Sequence, residues 1–238
     1  MVLSVSKRLS SLSYVDTTYD DDTLYTSGDY HLIVRLKKRY TNLYHICMGG
    51  NIDVVRLMIS LGANNWNVGL FGACKGGHLE LVNLMIFYGA NDWNYGLCGA
   101  CEDGHLELAK LMISHGANDW NGGLQGACRS GSLELVELMI SYDANDCNNG
   151  LYNACKGGHL ELAKLMISSG ANYWDGGLYG ACRSGSLELV ELMIFHGAND
   201  WNYGLYNACN AGHLELIKLM ISSGATQCIN CNKSVSDH

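Results

Sequence analysis

Cysteine and histidine are the residues of this chain whose number and spacing could do chemistry, since both bind metals and a thiolate is a nucleophile. The 238 residues include eleven cysteines and nine histidines. Cys98 with Cys101, and Cys228 with Cys231, have the Cys-x-x-Cys spacing of zinc ligands, and His238 lies close after the second pair. Structural zinc nearly always takes four ligands, and no fourth is evident. We therefore predict no metal site and no cofactor. Weak candidates for metal ligands remain at Cys228, Cys231 and His238; the alternative is a C-terminal tail with reduced cysteines.

Most of the other cysteines form a regular series. They recur every 27 residues in one repeated phrase, at Cys47, Cys74, Cys101, Cys128, Cys155, Cys182 and Cys209. Equivalent helices in a stack lie about 8–10 Å apart, which exceeds the Cα separation of about 7 Å that a disulfide allows. A catalytic site needs a singular constellation, whereas this residue is present in every copy. The series therefore predicts small buried hydrophobic side chains.

Histidines and glutamates repeat in the same manner. His78, His105, His159 and His213 share a position that holds Ser or Asn in the other copies, and a row of glutamates begins the following segment. Neither row suits a metal or a pair of acid–base catalysts, and no phosphate loop, HExxH motif or nucleophile elbow is present. We therefore predict that the protein is not an enzyme.

The chain consists mainly of one repeated unit. Residues 69, 96, 123, 150, 177 and 204 each begin the phrase "GLxxAC", and a poorer copy, "NLYHIC", begins at residue 42. Such self-similarity is the signature of a solenoid, in which each unit buries its apolar face against its neighbours. We predict seven 27-residue repeats over 42–230, an N-terminal segment over 1–41 with a flexible acidic start and a capping helix, and a C-terminal tail over 231–238.

Each repeat has the pattern of two short helices. In the copy at 69–95, the segment 70–75 predicts a first helix and the segment 79–88 a second, mostly buried helix. Ser or Asn before the second helix suits an N-cap, and the glycine after it suits a left-handed C-cap. The sequence therefore predicts an all-α fold of antiparallel helix pairs.

The repeat resembles the ankyrin family. "GHLELVNLMIFYGAN" resembles the second-helix signature of that family, and "LFGAC" lies where the family has the end of its first helix. The family unit has about 33 residues, and the shortfall lies where family members carry a β-hairpin finger. The resemblance implies an ankyrin-like solenoid with short tight loops in place of fingers, which binds a protein partner through its concave groove. The near-identical units also resemble the repeats of giant DNA viruses of amoebae, which implies host–virus interaction in the host cytoplasm.

Composition excludes several other classes of partner. The net charge of −8 argues against nucleic acid, because phosphate binding needs a basic surface. No apolar run approaches the roughly 18 residues of a membrane span, and the start of the chain does not suit a signal peptide. We expect an intracellular, cytoplasmic protein that binds another protein, with no membrane, nucleic-acid or small-molecule partner.

Residues that vary from copy to copy are the candidates for partner binding. The position after each "GL" gives Tyr152, Tyr179 and Tyr206, and the end of the first helix gives Lys75, Arg129, Lys156 and Arg183. Tyrosine and arginine are enriched at interface hot spots. We predict a groove over the fourth to seventh repeats that binds an acidic or tyrosine-complementary protein segment. The alternatives are packing for the tyrosines and a favourable place at a helix C-terminus for the basic residues.

All five tryptophans occupy one position in the connecting segment: Trp66, Trp93, Trp120, Trp174 and Trp201. We predict a structural ladder that covers the area of the missing finger. The fourth repeat has Cys147 at this position and Asp143 in place of the capping glycine, and it should be the loosest joint.

Three further functions stay open at this point. The chain could be a substrate adaptor of a ubiquitin ligase, although no F-box is recognisable, or a structural component of a viral particle. A protein with a C-terminal zinc or redox site is the third.

Overall fold

A computed structural model describes residues 42–226. This part of the chain contains fourteen helices and no strand, which confirms the predicted all-α fold of seven helix pairs with short loops in place of fingers. The predicted segments 1–41 and 231–238, with Cys228, Cys231 and His238, lie outside the described residues. The helices are α1 (Leu43–Met48), α2 (Ile52–Ser60), α3 (Trp66–Lys75), α4 (Leu79–Phe87), α5 (Trp93–Glu102), α6 (Leu106–Ser114), α7 (Trp120–Ser130), α8 (Leu133–Ser141), α9 (Cys147–Gly157), α10 (Leu160–Ser168), α11 (Trp174–Ser184), α12 (Leu187–Phe195), α13 (Trp201–Ala211) and α14 (Leu214–Ser222).

The helix pairs form two compact units. Among the described residues, the first contains 42–100 together with Glu107–Ala117, and the second contains Cys101–Leu106 together with 118–226. Within each unit, the first helix of a pair packs on its own second helix and on the first helix of the next pair. No helix among the described residues is long and apolar enough to cross a membrane.

Each pair buries a small set of apolar residues. In the second to sixth pairs, the first helix contributes a leucine, an alanine and the recurrent cysteine, and the second contributes leucine, valine or alanine, and methionine. The first pair has Ile46 and Val54 in place of the alanine and the leucine. Six of the recurrent cysteines are buried and form no disulfide within the described residues, and Cys209 is half-buried; the six are Cys47, Cys74, Cys101, Cys128, Cys155 and Cys182. Burial raises the pKa of Cys155 to about 12, because the interior disfavours the thiolate. The prediction of packing cysteines is confirmed.

The second helices begin in two ways. Asn51, Ser132 and Ser186 cap their helices; the Ser132 hydroxyl, for example, accepts from the N–H of Leu135 at 3.4 Å. His78, His159 and His213 make no cap bond. Their Nε2 atoms instead lie 3.0, 3.1 and 3.3 Å from carbonyl oxygens at the end of the preceding first helix. These histidines therefore join consecutive helix pairs.

The first helices begin four residues earlier than predicted. The segment 70–75 was expected to form the helix in the second repeat, but α3 begins at Trp66. α3 itself has no side-chain cap at Asn65, but four other first helices are extended by a capping aspartate, whose carboxylate accepts a backbone N–H of the first turn. Asp92 accepts from Tyr95 N, Asp119 from Gly122 N, Asp146 from Asn149 N and Asp200 from Tyr203 N, at 2.9–3.2 Å.

The tryptophans are half-buried at the starts of the first helices, and four of them stack on a ring 22 residues later in the chain. The ring centroids are 4.5–4.8 Å apart in the pairs Trp66–Tyr88, Trp93–His115, Trp120–Tyr142 and Trp174–His196. Trp201 lies near Gly224 instead. Each indole thus fills the gap between the start of its helix and the end of the following second helix. A continuous tryptophan ladder stays a prediction.

The residue after the tryptophan joins successive loops. Asn148 Oδ1 accepts from the N–H groups of Asn172 and Tyr173, at 2.8 and 3.0 Å. Asn67, Asn121 and Asp175 accept the equivalent pairs of N–H groups, and Asn202 accepts from Thr226. A single side chain therefore satisfies loop N–H groups that a hairpin would otherwise pair.

The fourth repeat departs from this pattern. Asp143 has φ 67°, whereas the six equivalent glycines (Gly62, Gly89, Gly116, Gly170, Gly197 and Gly224) have φ from 100° to 116°. Before it, the N–H of Tyr142 bonds to Met139 O, three residues back, rather than to the carbonyl four residues back. Cys147 replaces the indole, and its Sγ lies 3.4 Å from Ser169 O.

Candidate functional site

The candidate site is formed by the first helices of the second unit. α9, α11 and α13 carry Tyr152, Tyr179 and Tyr206 at equivalent positions, and all three side chains are half-buried. The structure brings these tyrosines together around one open pocket of about 950 Å³. Tyr173 and Tyr203 complete the aromatic lining. We call this the tyrosine pocket; its other lining residues are Asn149, Gly176, Arg183, Asn207, Asn210 and Ala211.

Tyr179 lines the tyrosine pocket and is held in place by its contacts. Its hydroxyl donates to Asp200 Oδ2 at 2.6 Å, while Oδ1 of the same carboxylate caps α13. Burial, and then the hydrogen bond and charge of Asp200, raise the pKa of Tyr179 well above its usual range. Tyr203 packs against its ring with the centroids 4.3 Å apart. This tyrosine therefore holds α11 and α13 in register.

Tyr173 stands where the neighbouring repeats have their capping aspartate. No side chain caps α11, and the Tyr173 ring covers Gly176, where a Cβ would meet the ring. The side chain is 53% exposed. A missing cap costs about 1 kcal/mol, so this repeat is locally less favourable and presents a ring instead.

Asparagine at the middle of a first helix keeps the pocket open. Gly180 of α11 lies against α9 so closely that a Cβ would be 2.5 Å from Tyr152 O. The equivalent residue of α13 is Asn207, whose Nδ2 donates to Tyr203 O at 2.9 Å. α13 therefore cannot approach α11 as closely as α11 approaches α9, and the gap forms part of the pocket.

Three cations lie at the ends of successive first helices, and we call Arg129, Lys156 and Arg183 the cation row. The two arginines are exposed and Lys156 is half-buried. Burial is the main cause that lowers the pKa of Lys156, and the charges of Arg129 and Arg183 add to it against the opposing effect of Glu102. Its Nζ lies 5.6 Å from the centre of the Tyr152 ring, a cation–π distance.

Lys75, the other predicted basic residue, belongs to the first unit. Its Nζ lies 5.9 Å from the centre of the Phe71 ring. Phe71 stacks between Tyr44 and Tyr95, with centroids 5.5 and 4.2 Å apart. The first unit thus has an aromatic stack of its own on its first helices.

The sequence-based reasoning missed Tyr173, Tyr203, Asn149 and Asn207. The first of these had a detectable signal, since a tyrosine at a capping position breaks the repeat consensus. The role of Asn207 could be found in the same way, because most repeats have glycine there. Among the described residues, no group of three or more His, Cys, Asp or Glu side chains could hold a metal.

Helix pairs that bury one side on their neighbours and expose a row of variable side chains define the class of helical repeat proteins. The sequence matches the profile of ankyrin repeats in three overlapping copies, over residues 70–145, 97–177 and 124–202, which together span more than half of the chain. The chain belongs to the ankyrin repeat family, whose repeats generally mediate protein–protein interaction.

A solved structure similar to this chain is the human ASB11 ankyrin repeat domain. The two share 25% sequence identity, the similarity covers 69% of this chain and 88% of that chain, and the TM-score is 0.46. A search of curated proteins gave no match.

Proposed function

We propose that the protein is a non-enzymatic scaffold that holds a partner protein on the first helices of the second unit. The observation that supports this most directly is the tyrosine pocket, where five tyrosines and Arg183 converge in a volume of about 950 Å³. Tyrosine and arginine supply large contact areas and directional hydrogen bonds, which makes them frequent anchors of protein interfaces. The pocket suits an inserted side chain of a partner.

The five tyrosines have different parts in this proposal. Tyr179 is engaged with Asp200, so it shapes the pocket. Tyr152 and Tyr206 make no side-chain hydrogen bond within the described residues, and they are our proposed contact residues together with Arg129, Lys156 and Arg183. Lys75 occupies the same repeat position in the first unit and is proposed as a contact there.

Affinity capture with the full-length protein tests this proposal. The resemblance to repeats of giant viruses of amoebae makes amoebal cytoplasm our first choice of source. Mass spectrometry compares the wild type with the double variant Tyr152→Ala/Tyr206→Ala. We expect the double variant to lose its partner, because each lost anchor should weaken binding by about 2 kcal/mol or more.

The matched control is Phe195→Ala. Phe195 is 83% exposed and does not line the tyrosine pocket, so this variant removes a ring of similar size from another place on the second unit. It should capture the partner as well as the wild type does. Equal capture by the wild type and the double variant would refute the proposed surface.

A further inference from the structure

The cation row makes no ion pair within the described residues. The ion pairs of the described residues join Lys110 with Glu107, Lys164 with Glu161 and Lys218 with Glu215, and none includes the cation row. The row lies in a chain whose net charge is −8. Glu102 is near enough for its charge to act on Lys156, but three adjacent cations that make no ion pair still favour an anionic ligand.

The tyrosine pocket continues this positive surface. Arg183 belongs to both, and it is the one charged residue among those that line the pocket. The carboxylates close by are already engaged: Asp200 accepts from Tyr179 and Tyr203, and Asp175 Oδ1 accepts two backbone N–H groups. Neither carboxylate is among the residues that line the pocket.

Tyr173 makes the pocket both less acidic and more aromatic. In neighbouring repeats this position carries aspartate, so the substitution takes a carboxylate away from the rim of the pocket and adds a half-exposed ring. Its ring lies edge-on to that of Tyr179, with centroids 6.5 Å apart. An aromatic side chain of a ligand would find edges and faces of several tyrosines here.

We propose that the cation row and the tyrosine pocket together bind an acidic peptide segment of a partner protein, with carboxylates at the row and an aromatic side chain in the pocket. Tyr173 determines the specificity for that segment. This inference rests on the proposed function and names the chemistry of the partner. A peptide suits the site better than nucleic acid, because the three cations of the row can pair with a few carboxylates but not with a phosphate at every nucleotide.

A phage-displayed library of random 12-residue peptides, selected on the full-length protein, tests the inference. We expect the enriched peptides to carry an excess of Asp and Glu together with at least one aromatic residue. An enriched peptide is then synthesised with a fluorescein label, and its Kd is measured by anisotropy. Its affinity should fall as NaCl rises from 50 to 500 mM, because salt screens exposed charges.

Two substitutions at one position separate charge from ring. Tyr173→Asn and Tyr173→Asp both restore a helix cap, so both variants should fold. Tyr173→Asn removes the ring and should raise Kd about 2- to 10-fold, the equivalent of one aromatic contact. Tyr173→Asp also adds a carboxylate and should raise Kd several-fold further. Arg183→Gln should raise Kd about 10-fold or more.

The possible results distinguish this inference from the proposed function. The inference of an acidic ligand would be wrong if the enriched peptides carried no excess negative charge, or if the Asn and Asp variants had equal Kd values. The proposed binding surface would still be supported in that case, provided that Tyr152→Ala/Tyr206→Ala abolishes peptide binding. Peptides insensitive to every pocket variant, or no enrichment at all, would overturn both. Tighter binding of a fluorescein-labelled 12-nucleotide oligouridine than of the peptide would replace the peptide by nucleic acid.

Discussion

Replacing Asp143 by glycine should stabilise the protein, because this residue holds a left-handed backbone conformation at the end of α8. Its φ of 67° differs from the 100° to 116° of the six equivalent glycines. The aspartate is also exposed at the C-terminal end of a helix, where the helix dipole disfavours an anion. The Asp143→Gly variant removes both unfavourable features at once.

The expected gain follows from three contributions. The left-handed conformation costs a non-glycine residue about 1–2 kcal/mol, and aspartate, which tolerates it well, lies at the lower end. Removal of the exposed carboxylate adds about 0.3 kcal/mol. The greater freedom of glycine in the unfolded chain offsets about 0.4–1 kcal/mol. The net gain should be about 0.3–0.9 kcal/mol, which corresponds to a rise in Tm of about 1–4 °C.

Urea unfolding of the full-length protein measures this gain as a shift of the midpoint at unchanged slope. Asp143→Asn removes the charge alone and should give about 0.3 kcal/mol. Gly170→Asp is the matched control, because φ is 103° there and a Cβ would contact nothing within 4 Å. It should destabilise by about 1–2 kcal/mol. No gain for Asp143→Gly, or an equal gain for Asp143→Asn, would refute the backbone explanation.

Three other measurements test the packing of the repeats. Amide exchange should be faster over 142–148 than in the other loops of the second unit and should slow in Asp143→Gly; equal rates would contradict a loose fourth joint. The free energy of unfolding should fall above pH 9, because unfolded thiols ionise there while Cys155, whose pKa is about 12, keeps its proton in the folded protein. Under reducing conditions, Cys155→Ala should lessen this fall by about 1.4 kcal/mol per pH unit. An unchanged dependence of the unfolding free energy on pH in this variant would count against the buried thiol. A double-mutant cycle of Trp174→Leu and His196→Ser should give a coupling of about 0.5–1.5 kcal/mol, and additive effects would contradict the stacked pair.

The sequence predicts the repeat architecture because every local signal recurs. A spacing of 27 residues, a capping Ser or Asn and a terminal glycine point to the same helix pair in each copy. The start of the first helix was misjudged for a physical reason. Glycine and asparagine around Trp93 suggest a loop, but the cap bond from Asp92 and the stacking on His115 allow the helix to begin at the indole.

The members of the candidate site are harder to predict, because their roles depend on contacts between repeats. Tyr152 and Tyr179 are equivalent in the sequence, but the hydroxyl of Tyr179 meets an aspartate in the next repeat. The residue 21 positions after Tyr152 is Tyr173, which offers no such acceptor. One substitution therefore changes the role of a tyrosine in the preceding repeat, and no periodicity of single positions reveals this.

The departures from the repeat consensus indicate where function is to be found. In a scaffold of near-identical units, a substitution that gives up a favourable contact is expected where another requirement dominates. Tyr173 gives up a helix cap, and Asn207 gives up the close approach of two helices, yet both line the same pocket. Asp143 also departs from the consensus but does not line the pocket, so restoring glycine there should raise stability without changing binding. The same restoration at position 173 should change binding, and this contrast separates a functional departure from a merely tolerated one.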